Sequence, residues 1–127
     1  MENPSILIAD SEALSRFALA DCLSDHGFKV YEAADGAEAL GILSHAPDIG
    51  LVFADVSLWG GRSSLDLARW VRDERPGLCV LLTSGKGRCA DFAGGAATRF
   101  FDRPYDPETI VTAITAIVRP KLGSSAP

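Results

Sequence analysis

Cysteine and histidine are scarce in this chain of 127 residues, with three of the first and two of the second. The cysteines, Cys22, Cys79 and Cys89, are odd in number, far apart and without a C-x-x-C spacing. That pattern excludes a disulfide framework and a zinc cluster and leaves reduced thiols as the expectation. Positive charge is also short, with 12 Lys and Arg against 17 Asp and Glu, a net charge of -5. This is the wrong sign for a protein whose main partner is a polyphosphate backbone, so no nucleic acid is expected as a direct ligand. Long apolar runs are missing too. The first, Ile6-Leu7-Ile8-Ala9, stops at Asp10, too short for a secretory signal or a membrane span. The expected location is the cytoplasm, with no membrane contact.

At this length the chain holds one domain, and its 47% hydrophobic and 23% charged residues supply an independent core without staples. Short apolar runs alternate with longer amphipathic stretches: Ile6–Ala9, Val30–Ala33, Leu51–Ala54, Leu78–Leu82 and Arg99–Phe101. Alternation of this kind is the signature of repeated βαβ units around a parallel sheet, and it predicts five strands. The first, third and fourth runs are apolar without a polar alternate, as strands covered on both faces are. Between the strands, Ala18, Leu19, Cys22, Leu23 and His26 make a helical stripe closed by Gly27, a left-handed stop. Ala37, Leu40, Ile42 and Leu43 predict a second helix ended by Pro47, and Leu65, Leu67, Ala68, Trp70 and Val71 a third ended by Pro76-Gly77. The fourth is weak, because Gly85, Gly87, Gly94 and Gly95 crowd its segment. Asp106-Pro107-Glu108 opens a fifth helix, with Ile110, Val111, Ile114, Ile117 and Val118 facing inward. The domain is expected over 1–119, with a disordered tail at 120–127.

In an open parallel sheet ligands collect at the carboxyl ends of the strands. The residues just past the apolar runs are Asp10-Ser11-Glu12, Asp55, Thr83-Ser84 and Asp102-Arg103-Pro104. Two carboxylates, a hydroxyl pair and a guanidinium in one cleft suit a Mg²⁺ and phosphoryl site: hard oxygens hold the metal, and cation, metal and hydroxyl neutralise phosphoryl oxygens.

Five pieces, ILIADSE at 6–12, DGAEAL at 35–40, LVFADV at 51–56, LLTS at 81–84 and FDRPY at 101–105, stand in the register of a known family. On them the chain resembles the receiver domains of two-component response regulators, in the single-domain chemotaxis form. The resemblance implies a flavodoxin-like, doubly wound (βα)5 fold with strand order 2-1-3-4-5. It implies that Asp55 is the phosphoacceptor for a histidine kinase or phosphotransfer protein. Asp10, Asp55 and the backbone carbonyl of Ser57 would hold Mg²⁺, with Ser11 or Glu12 as candidates for a further ligand. Thr83 and Phe100 would be the switch pair and Arg103 the cation that neutralises the phosphoryl group. The chain would be a phosphoacceptor, not an enzyme acting on a separate substrate.

Three residues depart from the family pattern. Ser11 replaces the second acid after the first strand, which predicts weak Mg²⁺ binding. Arg103 replaces a lysine, and Trp59 replaces a proline four residues past the acceptor. These substitutions keep open an alternative, a degenerate receiver that docks partners without phosphorylation. A phosphohydrolase would need an acid where Ser57 stands, and a flavin carrier would want a phosphate-binding loop where Asp10 and Glu12 repel phosphate. The fifth helix carries no charge between Glu108 and Arg119 and presents Thr112, Ala113, Thr115 and Ala116. A face of small uncharged residues predicts that the fourth helix, fifth strand and fifth helix dock an output protein or a second copy of the chain.

Overall fold

The computed structural model describes residues 4–55, 70, 73–84, 98–102 and 104–118. Five strands, β1 (Ser5–Ala9), β2 (Val30–Ala33), β3 (Ile49–Asp55), β4 (Cys79–Ser84) and β5 (Thr98–Asp102), pair in parallel in the order β2-β1-β3-β4-β5. Among the described residues α1 (Ala13–Asp25), α2 (Gly36–His45) and α3 (Pro107–Val118), the last being the fifth helix of the sequence, accompany them. The third helix expected from the sequence is seen at Trp70 and at 73–74, and the rest of it, the fourth helix, the 119/120 boundary and the tail lie outside the described residues.

Apolar strand residues divide between two faces. Leu7, Ala9, Val52, Ala54, Val80 and Leu82 pack with Ala39 and Leu43 of α2 and with Trp70. Ile6, Ile8, Leu51, Phe53 and Leu81 pack with Leu19 and Leu23 of α1 and Ile110, Val111 and Ile114 of α3. A sheet buried on both sides is why β1, β3 and β4 read as continuous apolar runs. The fold is therefore the flavodoxin-like doubly wound one.

Local chemistry sets the helix ends. Phe28 N–H returns to the Leu23 carbonyl at 3.1 Å and Gly27 N–H to Ser24 at 2.9 Å, with Gly27 at φ 88°. This is a Schellman stop, which only glycine reaches without strain. Asp35 caps α2 by accepting Glu38 N–H at 2.8 Å while Glu38 accepts Ala34 N–H at 2.7 Å. Asp106 caps α3 through Glu108 N–H at 3.0 Å, with Pro107 in the first turn. Two inward stripes are centred differently from the sequence expectation. Ala18 and His26 are exposed and Ala20 is buried on α1, while Ala37 is exposed and Gly36 and Ala39 are buried on α2. Leu19 and Leu23 orient α1, and α2 presents its small residues at close approach to the sheet.

Candidate functional site at the carboxyl edge of the sheet

The described residues include four buried polar or charged side chains, Ser5, Asp10, Asp55 and Thr83, and the last three sit at carboxyl ends of strands. Ala9 pairs with Ala54, so the next residues along β1 and β3, Asp10 and Asp55, leave the sheet side by side. Asp55 pairs with Thr83 across β3 and β4, about 4.8 Å away at ordinary strand spacing. Asp10 is 1% exposed, Asp55 8% and Thr83 0%. Carboxylates are rarely placed this deep without a task, since burying charge costs several kcal/mol. Thr83 Oγ1 has no hydrogen-bond partner among the described residues. A buried hydroxyl in that state costs about 1–3 kcal/mol.

The loop after β1 is fixed from three sides. Asp10 N–H donates to the Ala33 carbonyl at 3.0 Å, its Oδ1 accepts Glu12 N–H at 2.9 Å, and its carbonyl accepts Arg16 Nη1 at 2.7 Å. Arg16 Nε meets Glu32 Oε1 at 3.0 Å. Ser11 is exposed, and Glu12 Oε1 accepts the Ser15 hydroxyl at 2.6 Å. Ser57, Trp59 and Arg103 lie outside the described residues, and Phe100 is placed by backbone alone, on β5 opposite Leu82. Sequence reasoning missed Arg16 and Glu32, whose signal was a cation one turn into the helix that follows the acidic loop.

Beside this edge, a groove of about 590 Å³ runs between the start of α1 and the turn after β5, lined by Leu14, Ala18, Pro104, Tyr105 and Pro107 among others. Leu14 is 81% and Phe17 50% exposed, the exposed large hydrophobic residues of the described chain. On α3, Thr112 and Ala116 are exposed while Ala113 and Thr115 are half-buried.

A parallel doubly wound domain with two buried carboxylates and a buried hydroxyl at one strand edge has the architecture of a signalling receiver. The response regulator receiver domain family matches residues 6–115, and the chain belongs to it. It is 34% identical over 113 residues to the aerobic respiration control protein ArcA of Escherichia coli, covering 87% of this chain and 46% of that protein. With the transcriptional regulatory protein PdtaR of Mycobacterium tuberculosis it shares 34% over 119 residues, 89% of this chain and 56% of that one. The chain thus spans about half the length of these curated relatives. Among solved structures, a receiver domain protein of Methanospirillum hungatei superposes with a TM-score of 0.82 at 20% identity, covering 94% of this chain and 97% of that one. A response regulator receiver protein of Pseudomonas putida gives 0.79 at 27%, with 91% and 98% covered. Receiver domains of this family serve two-component phosphorelay signalling.

Receivers generally bind Mg²⁺ at the phosphorylation site. The donors here fit such an ion, because Asp10 and Asp55 offer hard carboxylate oxygens, and magnesium is usually held by one or two carboxylates while keeping several waters. No cluster of three or more His, Cys, Asp or Glu able to hold a metal occurs among the described residues. No helix among them is long and apolar enough to cross a membrane.

Proposed function

We propose that the chain is a cytoplasmic phosphoacceptor in which Asp55 takes a phosphoryl group from a histidine kinase or phosphotransfer protein and signals by protein contact. The observation that carries this reading is the placement of Asp55 between Asp10 and Thr83, all buried at one strand edge. A carboxylate oxygen of Asp55 attacks phosphorus. The phosphorus–nitrogen bond to the donor's imidazole breaks, the electron pair stays on that nitrogen, and an acyl phosphate forms. Asp10, Asp55 and the Ser57 carbonyl would hold Mg²⁺, which when bound neutralises phosphoryl oxygens. Thr83 Oγ–H donates to one of those oxygens, gaining the partner it lacks among the described residues, and Arg103 supplies a second positive contact. The acyl phosphate carries about -1.5 to -2 charge units where the carboxylate carried one, and Phe100 follows Thr83 as β4 and β5 adjust.

Two faces then serve two partners. The groove beside α1 opens at the same edge as Asp55, so an incoming donor that covers Leu14 and Phe17 brings its phosphohistidine close to the acceptor. The face of the fourth helix, β5 and α3 remains the proposed surface for an output protein or a second copy of the chain. Catalysis of any separate reaction is not part of this reading.

The exposed Ser11 favours one competing reading, a degenerate receiver that docks without phosphate, because it removes a carboxylate from the loop. Incubation with Mg²⁺ and a small phosphodonor, read by intact mass, separates the two. Wild type gains one phosphoryl group and Asp55→Asn none; no gain by wild type at saturating Mg²⁺ selects the degenerate reading.

A further inference from the structure

Arg16 has a fixed geometry beside the site that the phosphoacceptor reading leaves unused. Its side chain is only 13% exposed, and three contacts fix it. Nη1 donates to the Asp10 carbonyl, Nε pairs with Glu32 on β2, and the guanidinium lies 5.1 Å over the ring of Phe17. A planar guanidinium with a fixed fork can satisfy two such acceptors at once; a lysine ammonium on a flexible stem cannot reproduce that geometry.

The consequence falls on Asp10. With Ser11 in place of a second acid, Asp10 is the one buried carboxylate that the β1–α1 loop offers beside Asp55. Its side chain is aimed by its own backbone, which is pinned by Ala33 on one side and Arg16 on the other. Groups that orient a ligand from behind commonly change metal affinity by about 10–100-fold when removed.

We propose that Arg16, braced by Glu32 and Phe17, is the positioning residue that holds Asp10 in its ligand geometry. The proposal rests on the phosphoacceptor reading for its functional consequence, while its structural core is independent of it. Freed of Arg16, the Asp10 peptide turns, the bond from Glu12 N–H to Asp10 Oδ1 breaks, and the carboxylate samples several directions.

The test has two arms on the full chain. In the first, amide hydrogen exchange of Arg16→Ala shows the Asp10–Glu12 segment exchanging about tenfold faster, with Leu19 to Leu23 and β3 unchanged. In the second, the Mg²⁺ concentration giving half-maximal phosphorylation by a small phosphodonor rises about tenfold. The maximal rate at saturating Mg²⁺ is kept, Arg16→Lys restores part of the loss, and Glu32→Gln falls between. Unchanged exchange and an unchanged Mg²⁺ profile in a folded Arg16→Ala overturn the proposal. So does exchange that rises uniformly over α1 and β1, which marks a general structural role. Should Arg16→Ala not fold, the same readouts on Arg16→Lys and Glu32→Gln decide it. A wild type that takes no phosphate overturns the phosphoacceptor reading, and the exchange arm still decides for or against Arg16.

Discussion

At the amino-terminal edge of the sheet, Asp48 accepts the Ser5 hydroxyl at 2.6 Å and the Tyr31 hydroxyl at 3.1 Å, with Lys29 Nζ at 3.6 Å and stacked over the Tyr31 ring. Arg75 closes the same end by donating to the carbonyls of Leu43, Ala46, Pro47 and Ile49. At the carboxyl edge, Asp10 and Asp55 are buried side by side and Thr83 Oγ1 has no partner among the described residues. One edge spends its polar groups on joining β1, β2, β3 and α2. The other buries two carboxylates and a hydroxyl that has no partner among the described residues, at a cost to stability, and on the proposed function an incoming phosphoryl group uses them. Residues at the first edge should therefore matter to folding, and residues at the second to chemistry.

The sharpest break between the edges is expected at Arg75. Arg75→Met leaves four carbonyls without the guanidinium and should lower unfolding stability by about 3 kcal/mol, since hydrogen bonds to charged groups contribute about 1.5–3 kcal/mol. Urea unfolding measures it, and phosphate uptake at Asp55 should survive in the protein that remains folded. An unchanged midpoint would remove Arg75 from the account. The opposite sign is expected at the other edge. Thr83→Val removes a hydroxyl that pairs with nothing among the described residues and keeps the shape, so stability should hold or rise by about 1 kcal/mol while the response to phosphorylation is lost. A loss of more than about 1 kcal/mol would mean that the hydroxyl is already bonded in the resting state.

Asp48 gives a smaller effect with a defined pH sign. The Ser5 hydroxyl, with Tyr31 and Lys29 assisting, holds its carboxyl below the ordinary value of 3.8. Its contribution is present above that value and is lost as pH falls through the depressed folded one, so Asp48→Asn should flatten the last part of an acid unfolding curve. The smallest effect concerns Cys22, whose thiol donates to Glu108 at 3.0 Å across α1 and α3. That bond, then burial and the nearby carboxylates, push the thiol up to about 11 from 9.0. Stability from this pair is complete below the ordinary thiol value and fades as pH rises from there through about 11. Glu108→Gln should speed alkylation of Cys22 at mildly alkaline pH by on the order of tenfold, because more of it is then thiolate.

The two edges were unequally legible in the sequence. Strand positions, the Gly27 stop and the Asp106-Pro107 helix start follow from local rules, apolar runs and capping chemistry, and all three are seen. Asp10, Asp55 and Thr83 were legible because a strand end is a place as well as a residue type. What was not legible needs tertiary contact. Arg16 and Glu32 are 16 residues apart, and Arg75 meets carbonyls 26–32 residues upstream. No period marks such pairs. The exposure of Leu14 and Phe17 was also hidden, because apolar residues off the Leu19–Leu23 stripe look like a wider stripe until the sheet fixes the helix face.

The central claim is that the carboxyl edge is the reacting one and Asp55 its acceptor. Wild type, Asp55→Asn and Asp48→Asn are incubated with saturating Mg²⁺ and a small phosphodonor, and intact mass is read with time. The account predicts one added phosphoryl group on wild type and on Asp48→Asn, and none on Asp55→Asn. Equal labelling of wild type and Asp55→Asn, or no labelling of wild type, would contradict it.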